Sequence, residues 1–374
     1  MYEVSVYFIT YNQCDYIRQA LESILEQKTT FDFEIVLHDD ASTDGTTEIV
    51  KAYEKRYPDR VKAVLEDQNQ YSQGIDFSYK LFEKMSGKYV AYCEGDDYWT
   101  DDHKLQKQWE ALEKHPECDM CACCGVTVTE DGKREISYIR PSNGNGILTT
   151  EQVILGGGQY LVTAGLFYRK AITEYEVEFT KVIPLDYALQ ILGSLRGGIY
   201  YIDEKMAAYR RNARGSWSEN VLRNRERLLN HQWVKEKELL RVFDEETGGR
   251  YHDTIMRRLK AYTTFTQQLN DRKEEVLAIL SSLTGSRYIW GLGRRGVDFE
   301  EFCKKGNISI DGVCDLTNEH VGELTPCGNP IIDTSEVLTK ADNILATNAF
   351  VYNDLLNSKY KGRVIGLQEY MPYG

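Results

Sequence analysis

The sequence predicts an α/β protein in which a mostly parallel sheet is covered by helices, followed by a helical connector and a second, smaller α/β domain. Three observations carry this expectation. Up to about residue 215, short apolar runs alternate with amphipathic helical stretches, the order that builds parallel sheets. From about residue 217 the text turns charged and helix-favouring, as in NRERLLNHQWVKEKELL and DRKEEVLAILSSL, where charge forms a solvated helix face. A new strand-like run, RYIW, then restarts the alternation. The expected domains are 1–216, 217–283 and 284–374.

Each element has its own signal. Val4 to Ile9 reads as a strand, and Ile17, Ala20, Leu21, Ile24 and Leu25 then recur at helical spacing on one face. Phe33 to His38 is the second strand. The turn formers of DDASTDGTTEIV follow, with an Asp or Thr cap ahead of a helix that carries Ile49, Val50 and Tyr53. Val61 to Leu65, a helix near Phe77 to Met85 and the strand Tyr89 to Cys93 continue the pattern. After a helix bearing Leu105, Trp109 and Leu112, strands are expected at Met120 to Val128, Tyr160 to Tyr168 and Ile199 to Ile202. The last domain adds strand candidates at Ile308 to Cys314 and Asn343 to Thr347.

Composition narrows the function classes. The chain has 374 residues, 42% hydrophobic and 28% charged with only 7 prolines, so it should fold throughout into two or three domains. A net charge of −13 opposes general attraction to nucleic acid, which is not expected as a partner. Val4 to Ile9 is too short for a signal-peptide core and no segment approaches 18 apolar residues, so the expectation is a soluble, cytoplasmic protein. Nine cysteines, an odd number, fit reduced thiols better than a disulfide framework.

The segment Cys93-Glu94-Gly95-Asp96-Asp97-Tyr98-Trp99 lies where an apolar strand ends. Ligands of open α/β sheets sit beyond the carboxyl ends of strands. Mg²⁺ or Mn²⁺, as hard cations, are commonly shared between one or two carboxylates and substrate phosphates. A metal-bridged diphosphate is one reading of Asp96 and Asp97, and a turn or helix cap is the other. His38-Asp39-Asp40-Ala41-Ser42-Thr43-Asp44 and Thr10-Tyr11-Asn12 also follow strands. Three strand ends thus present polar groups on one rim, which would suit a nucleotide whose base N–H meets a carboxylate and whose ring stacks on an aromatic.

In order, spacing and residue type, Val4 to Asp44 together with EGDDYW resemble the GT-A fold glycosyltransferases of family 2. The resemblance covers about residues 3 to 215 and is closest up to residue 110. It implies the GT-A nucleotide-diphospho-sugar transferase fold, with a nucleotide-diphosphate sugar bound by the N-terminal half. The matching positions around the base are Thr10, Tyr11 and Asp40, with Asn12 and Ser42 in the same two rim segments. Asp40 would accept from the base N–H. Asn69 falls where the family has a polar stretch after the third strand and would line the donor site. The family's Asp-x-Asp metal motif falls on Gly95-Asp96-Asp97, so Asp97 would bind Mn²⁺ or Mg²⁺ directly, with Asp96 nearer the ribose or the metal.

The acceptor half carries over more loosely. Asp186 opens the helix-like stretch DYALQILGSL, where the family's inverting members place the carboxylate that deprotonates the acceptor hydroxyl. An N-cap role after Pro184 is compatible with that. Tyr209-Arg210-Arg211-Asn212 resembles the family's closing Tyr-Arg-x-His segment, and Arg210 would hold the diphosphate bidentately, the alternative being arginines paired with the excess surface acids. Asn212 stands where many relatives have His, so this segment does not supply an imidazole ligand.

Two further motifs lie outside that set. Cys118, Cys121, Cys123 and Cys124 have a spacing that invites zinc, but they fall in or beside one strand, where side chains alternate in direction, and core packing is the better account. Trp290-Gly291-Leu292-Gly293-Arg294-Arg295-Gly296 follows a strand and opens a helix, with Asp315 at the end of a second strand. That is a dinucleotide fingerprint in a domain with room for one mononucleotide-binding half. It resembles the small half-Rossmann domains of carbohydrate enzymes, and its glycines serve either a nucleotide or tight helix packing.

The leading expectation is therefore an inverting, metal-dependent transferase. It would move a sugar from a nucleotide diphosphate, UDP foremost, to a hydroxyl of a glycan or lipid-linked acceptor, as in surface polysaccharide synthesis. A lipid-linked acceptor would be met by peripheral membrane association. Trp217 and Trp233 of the connector are candidates for that contact or for a homodimer, although core burial suits both rings. The alternatives are a nicotinamide-dependent oxidoreductase built on the C-terminal domain and a non-catalytic nucleotide-sugar binder.

Overall fold

The structure is a computed structural model that describes residues 2–174, 178, 186–260, 262, 265–315, 318–347, 352, 355 and 360–366. The chain divides into two compact units, Met1–Arg258 and Leu259–Gly374. The stretch 217–283, read from sequence as one connector, is largely helical and is shared between them.

In the first unit, β1 (Val4–Thr10), β2 (Phe33–Asp39), β3 (Val61–Leu65) and β4 (Tyr89–Glu94) form a parallel block in the order β3-β2-β1-β4. Their faces are covered, so β1 and β2 are buried almost throughout instead of alternating between buried and exposed positions. Helix α1 (Ile17–Leu25) buries Ile17, Ala20, Leu21 and Ile24, and α2 (Thr46–Arg56) buries Ile49, Val50 and Tyr53, against a core that includes Val6, Phe8, Ile35, Leu37 and Ala91. Register brings the carboxyl ends level: Thr10 pairs with Asp39, and Ile9 with Glu94. Three polar strand ends therefore share one edge.

The sheet continues through β9 (Phe167–Arg169), β6 (Met120–Val128), β10 (Ile199–Arg210) and β5 (Tyr98–Trp99), with β7 (Glu135–Ile139) on β6 and β8 (Gly146–Leu148) on β10. Strand β9 is antiparallel to both β4 and β6, while β6 and β10 are parallel. The run Tyr160 to Tyr168, expected as one strand, is a strand only from Phe167. Before it, Thr163–Gly165 forms a 3₁₀ turn. Trp99 Nε1 and Gln108 Nε2 take the carbonyls of Ala164 and Gly165, at 2.9 and 2.8 Å, which withdraws them from a ladder. Conversely, the strand expected at Ile199 to Ile202 runs to Arg210, carried past register shifts between Ile202 and Ala207.

All nine cysteines are free. Cys121 and Cys123 pack in the main core, whereas Cys124, on the other face of β6, lies by Tyr201. Among the described residues, the His, Cys, Asp and Glu ligand atoms that converge in a group of three are those of half-buried Asp101 and exposed Asp102 and His103, not the cysteines.

The second unit holds a parallel sheet in the order β12 (Gly312–Cys314), β11 (Arg287–Trp290), β13 (Asn343–Ala346), β14 (Arg363–Gly366). Apolar clusters lie on both faces, one around Ile289, Phe299 and Leu345 and the other around Tyr288, Trp290 and Ile344. A helix, Arg294–Lys305, follows the glycine-rich turn. A Cβ at Gly296 would lie 1.8 Å from the carbonyl oxygen of Gly291, so helix packing alone requires that glycine. The strand expected at Ile308 to Cys314 begins only at Gly312. No described helix is long and apolar enough to cross a membrane.

Candidate active site

The acidic turn after β4 is built by close approach. The Gly95 amide donates to the Ile9 carbonyl at 2.9 Å. A Cβ at Gly95 would lie 2.4 Å from Gln13 Oε1 and 2.6 Å from Thr10 Oγ1, so any side chain there displaces its neighbours. The Asp97 amide donates back to the Glu94 carbonyl at 3.1 Å and closes the turn. Both aspartates are buried. Asp97 Oδ1 accepts from the backbone amide of Arg210 at 2.9 Å, and Asp97 Oδ2 is buried with no hydrogen-bond partner.

Arg210 is 2% exposed, and its guanidinium is spent on the protein. Nε donates to the Asp96 carbonyl at 2.8 Å, Nη1 to the Glu130 carbonyl at 2.6 Å and Nη2 to Gln19 Oε1 at 2.8 Å. The group also lies 4.8 Å from the Tyr16 ring centroid and 5.4 Å from that of Tyr98. The diphosphate-holding arginine expected from the sequence is, in this state, a buried brace beneath the acidic turn.

Burial dominates the electrostatics. It pushes the Asp96 carboxyl up to about 6, against the opposing pull of Arg210 and a hydrogen bond from Gln13. It pushes Asp97 well above the ordinary carboxylate range, with the charges of Asp96 and Glu94 adding to it. Glu94 rises to about 8 through burial, then Asp96 and Asp186. Crowded, dehydrated carboxylates resist joint ionisation unless a cation joins them. An orphaned oxygen on Asp97, with Asp96 beside it, is an all-oxygen donor set of the kind hard divalent cations take.

The rim residues come together beside this turn. Asn12, in the left-handed region at φ 51°, takes its amide to Ser42 Oγ at 2.8 Å and receives the Thr43 amide on Oδ1 at 2.7 Å. Ser42 Oγ in turn donates to Asp39 Oδ1 at 2.5 Å. Thr10 Oγ1 donates to Gln13 Oε1 at 2.8 Å, and its carbonyl accepts the Asp40 amide at 3.1 Å. The Asp40 carboxylate accepts the Gln70 amide on Oδ1 at 2.6 Å and the Tyr71 amide on Oδ2 at 3.0 Å, while Asn69 Nδ2 reaches the Asp40 carbonyl at 3.3 Å. Tyr11 is 41% exposed on the same edge, an open aromatic face.

Asp186 begins α6 (Asp186–Ser194), a helix that precedes β10. Its Oδ1 accepts the Tyr187 amide at 2.8 Å, a cap-like contact, and its Oδ2 accepts from Thr163 Oγ1 at 2.9 Å. Burial pushes this carboxyl up to about 6, opposed by those two hydrogen bonds and assisted by Glu236. Its charge also reaches Glu94, so Asp186 shares the field of the acidic turn. Pro184 and the side chain of Trp217 lie outside the described residues, and Trp233 is half-buried. Asn212 is left-handed at φ 60°, with its amide bound to Ser218 Oγ at 2.9 Å.

Sequence reasoning passed over Gln13 and Glu94 as site residues. Glu94 was legible as the first acid of the motif. Gln13 carried no signal, because an amide in a loop is common and its contacts to Thr10 and Asp96 depend on the fold.

Residues 5–175 match the model of the glycosyl transferase family 2. The uncharacterized protein Rv1520 of Mycobacterium tuberculosis is 35% identical over 215 residues, which are 57% of this chain and 60% of that protein. A Bacillus subtilis protein carried under the name teichuronic acid biosynthesis glycosyltransferase TuaG is 39% identical over 109 residues, 29% of this chain and 41% of its own length. The chain thus spans about 60% of the length of the curated relatives it matches first. Among solved structures, the mannosyltransferase PcManGT of Pyrobaculum calidifontis, in complex with GDP-Man and Mn²⁺, aligns over 76% of each chain at 15% identity and a TM-score of 0.48. The residues matched by the family 2 model, 5–175, include both the rim and the acidic turn.

Proposed function

We propose that the protein is an inverting, metal-dependent glycosyltransferase that moves a sugar from a nucleotide diphosphate, UDP foremost, to a hydroxyl of a glycan or lipid-linked acceptor. The observation that carries this is the buried Asp97 Oδ2, unpartnered beside Asp96 at the end of β4. Asp97 and Asp96 would hold Mn²⁺ or Mg²⁺, which supplies charge compensation for the leaving diphosphate. Two carboxylates leave the remaining coordination positions to phosphate oxygens and water.

The chain's own groups divide the remaining work. Asp40 reads the base N–H: each carboxylate oxygen has two lone pairs, and the loop amides of Gln70 and Tyr71 use one on each. Tyr11 offers the base an open ring. Thr10, Asn12, Ser42 and Asn69 shape that rim. Arg210 acts through the acidic turn by fixing Asp96 and Asp97. Asp186 takes the proton of the acceptor hydroxyl as the new glycosidic bond forms and the bond to diphosphate breaks. With its carboxyl at about 6, it is ionised at neutral pH and more basic than an exposed aspartate. One displacement with one base inverts the anomeric centre.

The test is release of nucleoside diphosphate from a panel of UDP- and GDP-sugars with Mn²⁺, with glycan acceptors and with water alone. Loss of turnover in folded Asp97→Ala and Asp186→Ala supports the reading. Full turnover in both contradicts it.

A further inference from the structure

The turn that replaces part of an expected strand, Thr163–Gly165, makes contacts that link two separate parts of the site. On one side, Thr163 Oγ1 donates to Asp186 Oδ2 at 2.9 Å. On the other, Trp99 Nε1, two residues after the acidic pair, donates to the Ala164 carbonyl at 2.9 Å. The amide of Tyr92, on the strand that ends in Glu94, donates to the Leu166 carbonyl at 3.1 Å. Gln108 Nε2, on α4 (Lys104–Lys114), takes the Gly165 carbonyl at 2.8 Å. A Cβ at Gly165 would lie 2.6 Å from Val162 Cγ1 and 3.1 Å from Cys123 Sγ, so the turn is packed without slack.

Resting on the reading of Asp186 as the acceptor base, we infer that Thr163 is its positioning residue. Its hydroxyl fixes Oδ2, and the turn that bears it is fastened to the strands on either side of the acidic turn, so base and acidic turn are held in one frame. In-line displacement requires that spacing, because small misplacements of reacting groups cost large factors in rate. The Tyr187 amide alone would fix one oxygen and leave the carboxylate free to turn about it.

The hydroxyl also sets when Asp186 is charged, since its hydrogen bond favours the carboxylate over the acid. Among the described residues, the other groups that face Asp186 are Glu94 and Tyr92 on β4 and Glu236 on α7 (Trp217–Glu246). Arg258 Nη2 lies 3.8 Å from Glu236. Among the described residues, Glu236 opposes ionisation of Asp186, while Thr163 and the Tyr187 amide favour it.

The experiment is carboxyl ¹³C NMR titration of aspartate-labelled full-length protein, with the Asp186 resonance identified by its loss in Asp186→Asn. Thr163→Val, which keeps the side-chain shape and removes the hydroxyl, is expected to raise the midpoint by about one pH unit. Thr163→Ser is expected to restore it. In turnover, Thr163→Val is expected to lower kcat at pH 7 about tenfold with donor KM unchanged, and to move the acid limb upward by the same interval. A folded Thr163→Val with an unchanged Asp186 midpoint overturns the inference. Full turnover in Asp186→Asn overturns the base reading and leaves the titration result standing.

Discussion

The backbone amide of Arg210 donates to Asp97 Oδ1 at 2.9 Å across 113 positions of sequence. The last residue of β10 thereby fixes one oxygen of the acidic turn and leaves Oδ2 of the same carboxylate without a partner. One bond made and one withheld define the orientation in which Asp97 is available to a cation.

Arg210 should matter to stability as well as to the site. Arg210→Ala strands the Asp96 and Glu130 carbonyls and Gln19 Oε1, at a cost of about 3 kcal/mol in chemical unfolding. Arg210→Lys should recover little of it, because an ammonium cannot reproduce a three-way planar fork. A wild-type unfolding midpoint in Arg210→Ala would show that these bonds carry no net weight.

Gly95→Ala places a Cβ against Gln13 and Thr10. The expected outcome is a folded protein in which Gln13 is pushed off Asp96, with metal affinity reduced about tenfold or more. Manganese titration by electron paramagnetic resonance reads this directly, and unchanged affinity would mean that the turn can move aside.

The acidic cluster makes stability depend on pH in a definite direction. Glu94 and Asp96 sit at about 8 and about 6 in the folded chain, above their unfolded values near 4. Between those limits the folded state holds protons that the unfolded chain has released, so this cluster lowers the stability of the metal-free protein as pH rises from about 5 to 8. Asp97→Asn should therefore gain stability relative to wild type over that interval. Mn²⁺ should raise Tm more at pH 8 than at pH 5, when the carboxylates that would bind it are deprotonated. Equal metal-induced shifts at both pH values would contradict this.

Asp40→Ala removes the acceptor for two loop amides, those of Gln70 and Tyr71. Amide exchange over residues 69–73 should quicken, and nucleotide affinity should fall tenfold or more. Slow exchange in that loop would show that Asn69 and its neighbours hold it without Asp40.

The parallel block was readable because it obeys local rules. The runs at Val4, Phe33 and Tyr89 are mostly apolar, the helix after Ile17 keeps one face, and each strand ends in polar residues. Those ends were enough to place Thr10, Asp40 and Asp97 on one edge. What failed to show depends on contacts distant in sequence. Tyr160 to Tyr168 reads as a strand by hydrophobicity alone, whereas the side chains of Trp99 and Gln108, distant in sequence, take the carbonyls of a turn within it. Arg210 looks like a phosphate ligand until Glu130 and Gln19 are seen to occupy it. The short strands Tyr98–Trp99 and Glu135–Ile139 are held by their neighbours rather than by any pattern of their own.

The most direct measurement is calorimetric titration of the full chain with UDP and with GDP, with and without Mn²⁺, on wild type and on Asp97→Ala. The account predicts nucleotide binding that requires the metal in wild type and disappears in a folded Asp97→Ala. Binding indifferent to Mn²⁺ and equal in the variant would contradict it, because the unpartnered oxygen of Asp97 would then have no part in holding the donor.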